Sequence, residues 1–201
     1  MDFLLNILHR NMSLIQWGVV IGASLVGAFG DVRSRCIPNS LTFPLLAAGL
    51  VWSAWLGGVS GLGEAVGACM LLGVPYVLLF VFAGGGAGDA KLMGAIGAWL
   101  GLRQGLIVLL CVAVAGGVLG LVKAAAQRRL KFVLTNVLIS FYTFILCVAG
   151  GRKPSLADAR RETGTGESER LEMPYGVAIV AGVCIAAAIV ALRGTEWLRL
   201  W

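Results

Sequence analysis

What most constrains this chain is the recurrence, from one end to the other, of apolar runs long enough to cross a lipid bilayer. A helical crossing takes about 17–25 residues, and candidate runs lie at 13–30, 41–56, 62–83, 90–102, 105–122 and 174–192. Inside lipid, backbone N–H and C=O groups find no water, so such runs must satisfy them internally as helices. Of the 201 residues, 59% are hydrophobic and 13% are charged, too few polar groups to cover a water-soluble core. The pattern predicts an all-α, polytopic membrane helical bundle of about six transmembrane helices. It also predicts a single membrane-embedded domain over 1–201, with no soluble module large enough to fold alone. The run at 90–102 is short for a full crossing and is expected to tilt or to start below the membrane surface.

The stretch at 132–149 can be read two ways, and the positive charges decide between them. With the N-terminus outside and this stretch lying in the membrane surface, about twelve of the 16 Lys and Arg residues fall inside and about four outside. If it crosses instead, the bias nearly vanishes. A polar stripe at helical spacing, Asn136, Ser140, Thr143 and Cys147, also suits an interfacial helix. Cytoplasmic loops are therefore expected at about 31–40, 84–91 and 123–173, the last containing the interfacial helix. The first run resembles a signal peptide, but its length and the lack of an A-x-A end mark a retained span.

Several function classes fall away. The net charge of +6 comes from basic residues flanking apolar runs, as the positive-inside rule expects, so nucleic acid is not the partner; membrane lipid is. The five cysteines form no C-x-x-C pair, so neither a zinc site nor a disulfide framework is expected, and no cofactor is called for. The 29 glycines include many within apolar runs, among them Gly22, Gly27, Gly73, Gly94, Gly97, Gly116, Gly117, Gly120 and Gly182, which predicts close helix packing.

Two acids remain, each where a span meets the inner surface. Asp31 opens the segment Asp31-Val32-Arg33-Ser34-Arg35-Cys36-Ile37-Pro38-Asn39. Alone it reads as a solvated carboxylate beside two arginines, with Pro38-Asn39-Ser40 starting the next helix. Asp89 ends the run Gly84-Gly85-Gly86-Ala87-Gly88-Asp89 and alone reads as a helix cap after an easy turn. A phosphate-cradling loop does not fit, because no Lys-Ser/Thr pair follows the glycines. Together, two neighbouring carboxylates can share one proton, and such a pair can activate water and protonate a peptide carbonyl without metal or nucleophilic side chain.

These residues resemble a known family. Gly86-Ala87-Gly88-Asp89, followed by Lys91, is similar to the GxGD motif of type IV prepilin peptidases, and Asp31 with Ile37-Pro38-Asn39 resembles their first aspartate motif. Met173-Pro174-Tyr175-Gly176-Val177-Ala178 is similar to the Pro-Tyr-Gly stretch opening the last span of the family's short forms, like those of Flp/Tad pilus assembly systems. The likeness covers about residues 14–192. It implies a multi-pass protein of the bacterial inner membrane that removes the short basic leader from prepilins or pilin-like proteins at the cytoplasmic face. Asp31 and Asp89 are the catalytic pair it implies, supported by Gly86, Gly88, Lys91, Pro38, Asn39, Pro174, Tyr175 and Gly176. Lys91 could either steady an ionised Asp89 or snorkel to lipid headgroups. Longer family members carry a cytoplasmic region with paired cysteines and also N-methylate the pilin. With no such pairs and almost nothing before the first span, peptidase activity without methyltransferase is expected here. Three other readings stay open: a GxGD protease cutting other membrane substrates, a small transporter using Asp31 and Asp89 as ion or proton ligands, and a non-catalytic scaffold.

Overall fold

A computed structural model describes residues 2–34, 37–83, 86–127 and 175–192. By backbone contacts the chain divides into two compact units, 1–118 with 174–201, and 119–173. Everything described below as a site lies in the first. The expected interfacial helix at 132–149, Pro174, Arg35 and Cys36 lie outside the described residues.

Those residues form helices and no strand. They are α1 (Asp2–Ser34), α2 (Asn39–Ala83), α3 (Ala87–Ala126) and α4 (Tyr175–Leu192). All four are long and apolar enough to cross a membrane, over Met12–Ser34, Asn39–Leu78, Ala87–Lys123 and Tyr175–Leu192.

Among the described residues four continuous helices stand where six were expected, and the cause is glycine. The runs expected separately at 41–56 and 62–83 belong to one helix, α2, interrupted only at Gly58, where φ is 59°. Those expected at 90–102 and 105–122 belong to α3, interrupted at Gly101, where φ is 72°. Positive φ is open to glycine without a Cβ clash, so one residue breaks the helical path where a loop of several was expected. Neighbours show what each interruption does. Asn39 and Leu45 lie beside Lys91 and Trp99, the two number series rising together. Gly73, Ala68 and Glu64 lie beside Gly94, Gly97 and Leu102, one series falling as the other rises. The two halves of α2 therefore run in opposite senses, and the chain doubles back at Gly58. By the same reasoning α3 doubles back at Gly101, because Leu72 beyond Glu64 meets Gly105 beyond Leu102.

The first half of α3 is the centre of the bundle. Leu92 to Leu100 are buried without exception, as expected of a helix apolar on every face. Glycine makes this packing possible where backbones approach: a Cβ on Gly97 would lie 2.5 Å from the Ala68 carbonyl oxygen, and one on Gly182 would lie 2.5 Å from Val112 Cα. Gly27, Gly73, Gly94 and Gly116 are likewise in close contact, but nothing lies within 4 Å of the corresponding position on Gly22, Gly117 or Gly120. Roughly 20 Å long at about 1.5 Å per residue, the central segment carries polar groups at both ends: Asp89 at its start, and the break at Gly101.

Candidate active site

Asp31 lies in the last turn of α1, three residues before its end at Ser34. It is half-buried, and its partner is backbone far along the chain: Gly176 N–H donates to Asp31 Oδ2 at 2.8 Å. Gly176 is the second residue of α4, so this N–H is one of the four that a helix start leaves without an internal partner, at the end favouring negative charge. Only glycine fits there. A Cβ on it would lie 2.9 Å from Ala28 Cα and 3.0 Å from Asp31 Cβ. The Tyr175-Gly176 pair thus has a local physical reason, since Gly176 seats the start of α4 against the end of α1. The reading of Asp31 as a merely solvated carboxylate does not describe this placement.

Asp89 sits in the first turn of α3, after the helix has begun at Ala87, rather than at the cap position. Its N–H donates to the Gly86 carbonyl at 3.2 Å. The side chain folds back over Gly86, where a Cβ would lie 2.7 Å from Oδ2, and the residue is only 7% exposed. Gly88 is required for a different reason. A Cβ there would lie 2.9 Å from Ile37 Cβ, so its absence lets the buried Ile37 press the Ile37-Pro38-Asn39 segment onto the start of α3. Pro38 then starts α2 through its carbonyl, which accepts from Leu41 N–H at 3.0 Å and Thr42 N–H at 3.4 Å.

The two aspartates, from different helices, lie at the same end of the contact between them: Gln16 donates to Trp99 O and Gly27 packs against Leu92, so α1 and the first half of α3 run in opposite senses, with Asp31 one turn beyond Gly27 and Asp89 one turn before Leu92. Lys91 is not the counterion between them. Residues two apart on a helix do not face each other, and Lys91 is exposed where Asp89 is buried. Its Nζ donates to Asn39 Oδ1 at 2.9 Å and stands 5.5 Å from the centre of the Phe43 ring, tying α3 to the start of α2.

One residue of this neighbourhood was not anticipated. Tyr76, 6% exposed in the second half of α2, meets Tyr175 edge to face, with ring centres 6.0 Å apart and planes at 72°. Both tyrosines lie within electrostatic reach of Asp89. The available signal was a hydroxyl inside an apolar run, in a chain with three tyrosines; a buried tyrosine O–H calls for a partner. Among the described residues no cluster of three metal-ligating side chains occurs, and Cys69, Cys111 and Cys184 are free thiols.

A site of two acids from separate apolar helices defines a class, that of membrane-embedded carboxylate-pair proteins, and the comparisons with known proteins narrow it. The model of the type IV leader peptidase family matches residues 18–121, a stretch holding both aspartates. The chain belongs to that family. It is similar to the prepilin leader peptidase/N-methyltransferase of Burkholderia pseudomallei strain 1026b, 38% identical over 108 residues, covering 51% of this chain and 35% of that protein. The protein of the same description from Neisseria gonorrhoeae is 36% identical over 125 residues, covering 57% of this chain and 41% of its own length. The one from Escherichia coli K12 is 36% identical over 105 residues, covering 49% and 47%. The matched region thus spans less than half the length of these relatives. No solved structure matches the chain. With its apolar helices and bacterial relatives, it is a multi-pass protein of the bacterial inner membrane.

Proposed function

We propose that this chain is an aspartic endopeptidase that removes the short basic leader from prepilins or pilin-like proteins at the cytoplasmic face. Its proposed catalytic groups are Asp31 and Asp89. The observation that carries the reading is that these two acids lie at the same end of the contact between α1 and α3, within the stretch matched by the family model. Like charges brought this close favour a state in which one carboxyl keeps its proton.

In that state the ionised carboxylate takes a proton from a water molecule while the water oxygen attacks the scissile carbonyl carbon. The protonated partner gives its proton to the carbonyl oxygen, forming a neutral gem-diol. Collapse breaks the C–N bond; the leaving amine gains a proton from one aspartate, and the other recovers one from the diol. Water is consumed, and one proton again sits on the pair. The Gly176 bond occupies Asp31 Oδ2, which leaves Oδ1 as the oxygen directed to this work. Gly86 and Gly88 serve the site by admitting the Asp89 carboxylate and Ile37 at close range. The charge bias of the loops supports the cytoplasmic face. Peptidase action without methyl transfer is part of the proposal, resting on the absence of C-x-x-C pairs from the sequence.

The test is to incubate the purified protein with a prepilin and read the new N-terminus by mass spectrometry, with a methyl donor present. One cut after the basic leader, with an unmethylated product, is expected. An intact prepilin contradicts the peptidase reading, and a methylated product contradicts the restriction to peptidase.

A further inference from the structure

Lys91 belongs to the GxGD segment, yet the water-activating steps leave it unused, and its surroundings are those of a site for another molecule. Beside it opens a groove of about 170 Å³ between three helix segments. The first half of α2 contributes Thr42, Phe43 and Leu46, the start of α3 contributes Ala90, Lys91 and Gly94, and the second half of α2 closes it with residues from 69 to 77. Gly73 and Gly94 make its floor, where a Cβ on Gly73 would lie 3.7 Å from Gly94 Cα. Two backbones thus meet where side chains would otherwise fill the space. The groove is about 12 Å long, the helical rise from 69 to 77. Phe43, Met70 and Val74 on its rim are exposed, so it is continuous with the apolar surface that α2 turns to lipid.

Two polar side chains interrupt these apolar walls, and they stand in order along the groove. At the mouth, on the end of the bundle that carries the two aspartates, Lys91 Nζ donates to Asn39 Oδ1 at 2.9 Å. An ammonium has three donors, so the exposed Lys91 keeps two for an anion. Thr42 lies three residues on from Asn39, about 5 Å deeper along α2. It is 2% exposed, and its hydroxyl has no partner among the described residues. The backbone oxygen that a helical threonine bonds four residues back is Pro38 O, which already accepts from Leu41 N–H and Thr42 N–H. Cation, unpaired hydroxyl and apolar groove, in that order, match the phosphate, ester carbonyl and acyl chain of a phospholipid. The volume argues against the apolar helix of a protein substrate, since a helix about 10 Å across would need several times the space.

We propose that this groove holds one anionic phospholipid, with its phosphate on Lys91, an ester carbonyl accepting from Thr42 and an acyl chain between Leu46 and Val74. The Thr42 hydroxyl reaches the ester by turning about χ1, between the two rotamers open to a helical threonine. The proposal does not rest on the peptidase reading. Its test titrates the full-length protein in detergent with dioleoylphosphatidylglycerol or dioleoylphosphatidylcholine, reads bound lipid by native mass spectrometry, and follows thermal unfolding of every variant. The wild type is expected to hold one phosphatidylglycerol about fivefold more tightly than phosphatidylcholine, the scale of one lysine against an anionic headgroup. Lys91→Gln should abolish that preference, and Lys91→Arg should keep it. Thr42→Val should weaken both lipids alike, about fivefold for one hydrogen bond, and should raise the unfolding temperature without lipid by removing an unpaired buried hydroxyl. Val74→Trp, which fills an exposed wall of the groove, should weaken both lipids as well. Equal affinity for the two lipids in the wild type overturns the proposal, as does a preference that survives in Lys91→Gln. Wild-type binding in a folded Val74→Trp or Thr42→Val also overturns it, because the lipid then lies elsewhere. No retained lipid, with prepilin instead protecting Cys69 from alkylation, assigns the groove to the substrate and overturns it too.

Discussion

The central half of α3 interrupts an apolar interior with polar groups at both ends, and the two ends are built on opposite principles. At Gly101 the helical path breaks, and the groups it frees are matched donor to acceptor. Gln16 Nε2 donates to Trp99 O at 2.9 Å, Ser53 Oγ donates to Ala98 O at 3.0 Å, and Leu102 N–H donates to Glu64 Oε1 at 3.3 Å. A break beside a buried helix calls for such partners, since a backbone group left unpaired away from water is costly. At the other end the charges are alike: Asp31 accepts from a helix-start N–H, and Asp89, at the same end of the α1–α3 contact, is buried. Two like-charged acids on neighbouring apolar helices are costly to place, which is why they carry the proposed chemistry. The comparison teaches that an acid at membrane depth is informative through its partners. Glu64 completes a structure, while Asp31 and Asp89 leave one open.

Substitutions at three positions break or sharpen this contrast. The largest effect is expected for Gly176→Ala, whose Cβ would push the start of α4 off Ala28 and Asp31; prepilin cleavage should fall about 100-fold, the order expected of an ångström-scale misplacement. Cleavage at the wild-type rate would mean that this contact does not set the site. At the balanced end, Glu64→Ala should lower unfolding stability by about 0.5–1.5 kcal/mol through the lost bond to Leu102 N–H. Glu64→Gln, which keeps an accepting oxygen, should recover most of that, and both should keep their turnover per folded molecule. A loss of turnover in Glu64→Gln would blur the distinction between the ends. The smallest effect belongs to Lys91→Ala: with its ammonium on Asn39 and exposed, cleavage should change by less than about threefold, as for other exposed polar contacts. A loss as large as that of Gly176→Ala would return Lys91 to the catalytic centre.

How much of this could be read from residues alone follows from how far each signal reaches along the chain. The carboxylates stood out because charges are rare in apolar runs, whereas the glycines before Asp89 read as an easy turn, and their contacts with the Asp89 carboxylate and Ile37 depend on the fold. The number of helices did not carry over, because hydropathy dips near Gly58 and Gly101 look like loops when a single glycine suffices to turn the backbone. Nor does glycine in a span reveal its face: Gly97 is wedged against Ala68, while Gly117 touches nothing. Gln16, Ser53 and Glu64 were silent for a related reason, since the groups they serve are exposed only by the break. Tyr76 looked like one more aromatic in a span, and its ring partner, Tyr175, lies about half the chain away. For Lys91 the two readings were separated by helix geometry, which put Asn39 within its reach and turned it away from Asp89.

The claim at the centre of all this is that Asp31 and Asp89 are held together for catalysis and not for stability. Asp31→Asn and Asp89→Asn, each measured for prepilin cleavage and for thermal unfolding in the same detergent, test it most directly. Cleavage should drop by about 1,000-fold or more in each, within the range of a lost acid or base, while unfolding temperatures hold or rise as the like-charge repulsion is relieved. Wild-type cleavage in either variant, or a loss that merely tracks unfolding, would contradict it.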